Sequence, residues 1–221
     1  MKPKRILLIR HGLSEGNSDR NTYATIPDHA LALTLKGVEQ ARQAGREIKE
    51  LIGGEGLQVY LSPYNRTRMT WQAIQESLGE NAITLREDPR LREQDWGHLR
   101  ATDINEDIIH ERDKFSPFYY RIPDGESGAD VYDRISTFLE SLYRDFEDED
   151  YPANVLVVTH GFSLRIFLMR WFHWSVEEFE DLHNPRNCQI VRLEKASDGH
   201  YVLVSELRRR SDESATTLES G

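Results

Sequence analysis

The sequence predicts an α/β protein built on a mostly parallel β-sheet. Two short runs, residues 5–9 and 154–159, have the continuous apolar character of strands that are buried on both faces. Amphipathic segments with helical spacing alternate with such runs, as in layered α/β domains. The chain has 221 residues, and at roughly 150 residues per domain one domain is preferred over two. We expect a single domain over residues 1–210.

Four further segments are weaker strand candidates: residues 58–61, 83–85, 189–193 and 201–204. The last two flank Ser197-Asp198-Gly199, a turn sequence that favours an antiparallel hairpin. Two polar segments are expected to face water. These are the acidic run at residues 147–150 and the tail at residues 211–221, which we expect to be disordered.

Helices are predicted over residues 35–51, 131–146 and 162–172, and directly after Ser62-Pro63. Thr34 is the expected N-cap of the first helix. Ser62 is the expected N-cap of the helix that follows it, with Pro63 at the first helical position. The segment 162–172 is apolar almost all round, which predicts a buried helix.

Composition excludes several classes of function. The 28 Lys and Arg residues against 38 Asp and Glu residues give a net charge of −10, which argues against nucleic acid and anionic membranes as partners. The single cysteine, Cys188, excludes an internal disulfide and a multi-cysteine metal site. The apolar runs are much shorter than the ~20 residues of a membrane span, and Arg10 ends the first run too early for a signal peptide. We therefore expect a cytoplasmic globular protein.

Reactive side chains follow four of the predicted strands. Arg10 and His11 follow the first strand, Arg66 the second, Glu93 the third and His160 the fourth. Because ligands bind beyond the carboxyl ends of the strands in such sheets, we expect these side chains to meet at one rim.

This set of residue types suits the transfer of a phosphoryl group. Guanidinium groups bind phosphate oxygens in a planar fork and stay charged. A neutral imidazole can attack phosphorus through one ring nitrogen if the other donates to a fixed carbonyl. Gly12, directly after His11, would let the backbone approach the anion. A second imidazole, His160, can donate to the transferring group, and Glu93 can protonate the leaving oxygen and then take a proton from water.

Five segments resemble, in order, the motifs of a known family: residues 8–17 (Leu-Ile-Arg-His-Gly-Leu-Ser-Glu-Gly-Asn), 62–70 (Ser-Pro-Tyr-Asn-Arg-Thr-Arg-Met-Thr), 91–97 (Leu-Arg-Glu, then Trp-Gly), 123–127 (Pro-Asp-Gly-Glu-Ser) and 157–161 (Val-Val-Thr-His-Gly). They are similar to the histidine phosphatase superfamily, in its phosphoglycerate mutase-like branch. The resemblance spans the chain from the first strand to about Val204.

The resemblance implies a three-layer α/β/α sandwich with no metal or organic cofactor. It implies that His11 is the phosphorylated nucleophile and Glu93 the proton donor. It also implies that the phosphoryl group is bound by Arg10, Arg66 and His160, and that Asn17 contacts phosphate or substrate.

Two segments, residues 23–29 and 115–121, depart from the mutase pattern and are expected to wall the substrate side. They supply the candidate specificity residues His29, Tyr119, Tyr120 and Arg121, although packing beneath a loop explains the tyrosines equally well. The motifs supply three further candidate substrate contacts: Gly12, Ser14 and Gly161.

The choice between phosphatase and mutase depends on the segment around the acid. Mutases of this family carry a pattern of the type Glu-Arg-His-Tyr-Gly, whereas this chain has Glu93-Gln94-Asp95-Trp96-Gly97. We therefore favour a phosphatase acting on a small phosphorylated metabolite, of which a fructose-bisphosphatase is a narrower form. A cofactor-dependent phosphoglycerate mutase, a protein phosphatase or regulatory protein, and a binding or scaffold protein on the same fold are the alternatives. The sequence leaves the oligomeric state open.

Overall fold

One mixed sheet forms the centre of the molecule. The computed structural model describes residues 2–97 and 106–212, and within them six strands are ordered β3-β2-β4-β1-β5-β6 across the sheet. The strands are β1 (Arg5–Arg10), β2 (Leu57–Leu61), β3 (Ile83–Glu87), β4 (Asn154–Thr159), β5 (Ile190–Lys195) and β6 (Tyr201–Leu203). The first four are mutually parallel, and β5 runs antiparallel to both β1 and β6. The mostly parallel sheet and the β5–β6 hairpin are confirmed.

Helices connect the strands and cover both faces of the sheet. The α-helices are α1 (Glu15–Ser18), α2 (Leu35–Ile52), α3 (Asn65–Gln75), α4 (Glu106–Phe115), α5 (Gly128–Asp145), α6 (Gly161–Phe172) and α7 (Val176–Asp181). Short 3-10 helices lie at Arg20–Ala24, Asp28–Ala30 and Pro89–Leu91. Thr34 caps α2 as expected, since its hydroxyl accepts the N–H of Gly37.

Alternate residues of the central strands face opposite helix layers. Ile6, Leu8, Val155 and Val157 share one core with α5 and α6. Leu7, Ile9, Leu156 and Val158 share the other with α2 and α3. This alternation follows from the two-residue period of a strand and explains why both runs are continuously apolar. The three-layer α/β/α sandwich is confirmed.

The predicted start of α3 was wrong. The helix begins at Asn65 after Tyr64, rather than at Pro63 after Ser62. The Ser62 hydroxyl lies 2.8 Å from Nε2 of His160 instead of capping the helix. The sequence pattern located the start of the helix to within two residues. The Ser62 hydroxyl, expected to cap it, instead forms a hydrogen bond with His160.

The structure describes all of the predicted polar segment 147–150 but only the start of the predicted tail at residues 211–221. Residues 147–150 are exposed, as expected. In the predicted tail, the Ser211 N–H and hydroxyl both donate to the Asp181 carboxylate, each at 2.9 Å. Residues 213–221 lie outside the described residues, so the disordered tail stays a prediction. In the described part of the chain, no helix has the length and apolarity that a membrane span requires.

The sheet order brings three strand ends together. β4 lies between β1 and β2, with Arg10 opposite Thr159 and Leu61 opposite Val158. The residues that come next along the chain are therefore neighbours at the carboxyl edge. This edge is where the sequence placed the functional side chains.

Candidate active site

His11 directly follows β1 and is held by its own backbone. Its Nδ1 atom lies 2.8 Å from the carbonyl oxygen of Gly12. Because a carbonyl only accepts hydrogen bonds, Nδ1 carries the proton and Nε2 is unprotonated, with a lone pair that can accept. Nε2 accepts a hydrogen bond from Nε of Arg66 at 3.2 Å, which agrees with this tautomer. The Gly12 N–H donates to the Thr70 hydroxyl at 3.0 Å, and the Leu13 N–H, in the same peptide as the Gly12 carbonyl, donates to Oε1 of Gln40 at 2.9 Å, so the backbone is held on both sides of Gly12.

Two arginines border the imidazole. Arg66 lies in the first turn of α3 and is 3% exposed. Its Nη1 donates to the main-chain oxygen of Asp28 at 2.6 Å and to the Asp28 carboxylate at 2.9 Å, and Tyr64 lies under the guanidinium at 4.9 Å. Arg10 donates to the carbonyl of Pro185 at 3.0 Å, and its Nε is buried without a hydrogen-bond partner among the described residues.

His160 directly follows β4 and faces His11. The two ring centroids are 5.3 Å apart at an interplanar angle of 63°. Nε2 of His160 lies 2.8 Å from the Ser62 hydroxyl, whereas Nδ1 is buried and has no partner among the described residues. If Ser62 donates to Nε2, Nδ1 carries the proton and is a donor that faces no protein acceptor.

Burial sets the protonation of both imidazoles. It lowers the pKa of His11 well below the ordinary 6.5, and the charges of Arg66 and Arg10 lower it further. Burial likewise lowers the pKa of His160, with Arg66 and His11 adding to the effect. Both rings are therefore neutral near pH 7, which a nitrogen nucleophile requires.

Glu93 lies in the loop after β3 and reaches the start of α6. Its Oε1 accepts the N–H of Gln94 at 3.1 Å, and the N–H and hydroxyl of Ser163 lie 3.4 Å away. Glu126, from the predicted Gly-Glu-Ser segment, braces this loop by pairing with Arg134, which also donates to the main-chain oxygen of Glu93. The acid is thus positioned by two helices, α5 and α6.

The small residues of the motifs have structural partners. A Cβ on Gly12 would come within 2.4 Å of the Gly37 carbonyl oxygen in α2, and one on Gly161 within 2.8 Å of the Asn184 side chain. We predicted that Gly12 lets an anion approach, but close packing against α2 is what requires a glycine there. The Ser14 hydroxyl, 1% exposed, caps α1 by accepting the Asn17 N–H.

Asn17 is exposed beside the site. Its side-chain oxygen lies 3.5 Å from Nδ2 of Asn187, which also donates to the His11 carbonyl at 2.9 Å. Asn187 therefore links the Asn17 side chain to the backbone of His11. Its contact with phosphate or substrate stays a prediction, as do those of Gly12, Ser14 and Gly161.

The candidate specificity residues fall in different places. His29 is exposed and meets the Tyr64 ring edge-on at 6.4 Å, so it borders the site. Tyr119 is 59% exposed and packs on Phe118. The side chain of Arg121 donates to the Asp130 carboxylate at 2.7 Å and to the Gly125 carbonyl. Among the described residues, Arg121 thus contacts the entry to α5, whereas Tyr119 contacts Phe118 and Ser116. None of these partners is a histidine or arginine of the site.

Several site residues were missed in the sequence. Ser62, Tyr64 and Thr70 lie inside the second motif, whose spacing marked them without indicating a role. Asp28 begins the 3-10 helix Asp28–Ala30 and Asn187 lies in a loop, and no periodicity or motif identifies their contacts across 38 and 176 residues of sequence. Among the described residues, no group of three His, Cys, Asp or Glu side chains is placed to hold a metal ion.

Comparison with known proteins agrees with this geometry. A model of the histidine phosphatase superfamily, branch 1, matches residues 6–207. The chain therefore belongs to this superfamily and is an enzyme of that class.

Two curated relatives and one solved structure illustrate the relationship. The phosphoglycerate mutase-like protein AT74H of Arabidopsis thaliana is 43% identical over 92% of this chain and 78% of its own length. The broad-range acid phosphatase DET1 of Saccharomyces cerevisiae is 30% identical over 96% of this chain and 91% of its own length. A mycobacterial glucosyl-3-phosphoglycerate phosphatase superposes with a TM-score of 0.71 at 20% identity, covering 93% of this chain and 99% of that one. This last likeness concerns the fold alone.

Proposed function

We propose that the protein hydrolyses phosphate monoesters through a phosphohistidine at His11, without a metal ion. The observation that carries the proposal is the fixed tautomer of His11. The Gly12 carbonyl holds the proton on Nδ1, so the lone pair of Nε2 points toward Arg66. A buried neutral imidazole with that orientation is suited to attack on phosphorus.

In the first half-reaction, Nε2 of His11 forms a bond to phosphorus as the ester P–O bond breaks. Arg10, Arg66 and Nδ1 of His160 stabilise the charge on the phosphoryl oxygens, and Glu93 gives its proton to the departing alcohol oxygen. Fixed charge must supply most of the acceleration, because uncatalysed phosphate monoester hydrolysis is among the slowest biological reactions.

In the second half-reaction, the Glu93 carboxylate takes a proton from water as the water oxygen bonds to phosphorus. The P–N bond then breaks, which restores neutral His11 and releases phosphate. The position of Glu93 at the N-terminus of α6 supports this role, because donors from Ser163 can stabilise the carboxylate that is present after Glu93 has protonated the leaving oxygen and before it takes a proton from water.

The proposed substrate is a small phosphorylated metabolite in the cytoplasm. The departure of Glu93-Gln94-Asp95-Trp96-Gly97 from the mutase pattern supports hydrolysis over phosphoryl return. Similarity to a broad-range acid phosphatase supports the same reaction type. Similarity to a phosphoglycerate mutase-like protein makes mutase activity the alternative to test.

Turnover of p-nitrophenyl phosphate with and without EDTA tests the reaction. We expect hydrolysis that EDTA does not reduce and that His11→Ala abolishes, whereas His200→Ala, in the exposed β5–β6 turn, keeps the wild-type rate. Activity lost to the chelator, or unchanged in His11→Ala, would contradict the mechanism.

The acid role of Glu93 has its own test. Glu93→Gln should lose rate most severely on alkyl phosphates, whose leaving oxygen needs the proton, and least on p-nitrophenyl phosphate. Equal losses on both substrates would argue against proton donation.

A phosphometabolite panel tests the substrate class. It includes 3-phosphoglycerate together with 2,3-bisphosphoglycerate, so that mutase and phosphatase products are measured in the same reactions. Release of inorganic phosphate without isomerised phosphoglycerate is the expected result, and isomerisation as the faster reaction would favour the mutase.

A further inference from the structure

The outer end of the Arg66 guanidinium is bound by an acid from another segment. Nη1 donates to Oδ1 of Asp28 at 2.9 Å and Nη2 to Oδ2 at 3.3 Å, while Nη1 also donates to the Asp28 main-chain oxygen at 2.6 Å. The Arg66 side chain is 4% exposed, so this bidentate pair is largely removed from water on the arginine side.

The inner edge of the same guanidinium faces the nucleophile. A guanidinium has five N–H donors in one plane. Three of them are directed to Asp28, and the Nε donor points to Nε2 of His11 at 3.2 Å. The remaining Nη2 donor lies on the same edge as Nε. Asp28 therefore binds the edge that points away from His11 and leaves the Nε–Nη2 edge for the phosphoryl group.

The Asp28 segment is itself fixed to the helix that carries Arg66. Asp28 begins the 3-10 helix Asp28–Ala30, and the Asn65 side chain donates to the Ala30 carbonyl at 3.1 Å. The Tyr64 ring supports the guanidinium at 4.9 Å. These contacts hold the long Arg66 side chain in one orientation. Less conformational entropy is therefore lost when the guanidinium binds a ligand.

We propose that Asp28 is a positioning residue that aims the Nε–Nη2 edge of Arg66 at the phosphoryl group on His11. The inference rests on the proposed function and adds a residue to it. The opposite role is competition, in which the Asp28 carboxylate occupies donors of Arg66 that phosphate would otherwise bind. The geometry favours positioning, because Asp28 binds the edge that does not face His11.

The two roles predict opposite changes in ligand binding. If Asp28 positions Arg66, Asp28→Ala should weaken inhibition by orthovanadate, a mimic of five-coordinate phosphorus, and lower kcat/KM, each by about 10- to 100-fold. Asp28→Asn keeps one acceptor oxygen and should show an intermediate loss. If Asp28 competes with phosphate, both variants should bind inorganic phosphate more tightly, and that result would overturn the inference.

The ion pair between Glu87 and Arg68, which lies two residues after Arg66 in α3, provides a matched control. Glu87 holds the exposed guanidinium of Arg68 with two bonds of 2.7 Å, so Glu87→Ala removes the same kind of pair away from the site. It should leave vanadate inhibition unchanged. In an Arg66→Lys background, Asp28→Ala should add little to the loss, because its effect passes through the guanidinium. Fully additive losses would overturn the inference.

Direct calorimetry of phosphate and vanadate binding separates the two levels of the argument. A wild-type protein that binds neither anion would overturn the proposed function and this inference with it. An active wild type whose Asp28→Ala variant binds vanadate equally well would overturn only the role of Asp28.

Discussion

The ends of β1 and β4 carry two histidines with the same burial and opposite hydrogen-bond patterns. His11 binds a backbone carbonyl through Nδ1 and faces Arg66 through Nε2. His160 binds the Ser62 hydroxyl through Nε2, and its Nδ1 has no partner among the described residues. A carbonyl fixes a tautomer because it only accepts, whereas a hydroxyl can donate or accept. The comparison indicates that partner chemistry, and not burial, distinguishes the proposed nucleophile from the proposed donor.

Removing each imidazole gives the largest expected difference. His11→Ala should lower kcat at least ~10⁴-fold, because the nucleophile is lost. His160→Ala should lower it by about 10²–10³-fold, since one donor to the phosphoryl group is lost while covalent chemistry remains. Rapid quenching of ³²P-labelled enzyme in base, in which phosphohistidine is stable, measures the distinction. The label should appear on His160→Ala and be absent from His11→Ala, and the reverse pattern would exchange the two roles.

The Ser62 hydroxyl is the next point of comparison. Ser62→Ala removes the group at Nε2 of His160 and lets the ring change tautomer, so kcat/KM should fall by about tenfold or more. The phosphoenzyme should still form on His11, only more slowly. Thermal unfolding of the variant distinguishes this effect from a loss of folded protein. A variant with wild-type kcat/KM would mean that Ser62 does not set the orientation of His160.

The lowered pKa values of His11 and His160 predict that the folded protein is less stable in acid. Each folded imidazole has a pKa below its unfolded value near 6.5, so the unfolded chain binds more protons at acidic pH. The free energy of unfolding should therefore fall below about pH 6.5 and be unaffected by these groups above it. Each imidazole should contribute to the loss between pH 7.5 and 5.5.

Denaturant unfolding at the two pH values checks this expectation. His11→Asn and His160→Asn should each show a smaller loss than the wild type, while His200→Asn, in the exposed turn, serves as the matched control. Ring-proton NMR of the folded protein should show neither buried imidazole titrating near pH 6.5. A full titration there would contradict the assigned neutral state.

Much of the fold follows from local patterns in the sequence. The continuous apolar runs of β1 and β4 required two covered faces, and the alternation of strands with helices required parallel pairing. The rim residues Arg10, His11 and His160 followed from the rule that ligand sites lie beyond the strand ends. These conclusions depend on periodicity and chain order, which a single sequence contains.

The contacts that orient the site could not be derived in this way. Asp28 meets Arg66 across 38 residues, and Asn187 meets the backbone of His11 across 176. Asp28 lies in the segment 23–29 that was expected to wall the substrate side, but neither residue lies on a periodic face, so nothing local identifies its contact. The wrong start of α3 has the same cause, because the Ser62 hydroxyl bonds to His160, 98 residues away, in preference to its own helix.

The smallest expected effect concerns the backbone at Gly12, next to His11. Thr70, fully buried in α3, accepts the Gly12 N–H at 3.0 Å and donates to the Arg66 carbonyl at 2.7 Å. Thr70→Val keeps the shape of the side chain and leaves the Gly12 N–H without this acceptor, which loosens the backbone at Gly12; the carbonyl that accepts from Nδ1 of His11 lies in the next peptide, still held by Gln40, so the effect on the ring is indirect. We expect kcat/KM to fall about two- to fivefold and the free energy of unfolding by about 1–3 kcal/mol.

Thr70→Ser keeps the hydroxyl and should recover most of the activity that Thr70→Val loses. Steady-state kinetics and denaturant unfolding of both variants measure this difference. If Ser and Val were equally impaired, the methyl packing of Thr70 would matter and the hydroxyl would not. His11 would then be supported indirectly by packing, whereas His160 is contacted directly by a hydroxyl. Recovery by serine alone would show that a hydroxyl supports each imidazole, that of Thr70 through the Gly12 backbone and that of Ser62 by direct contact.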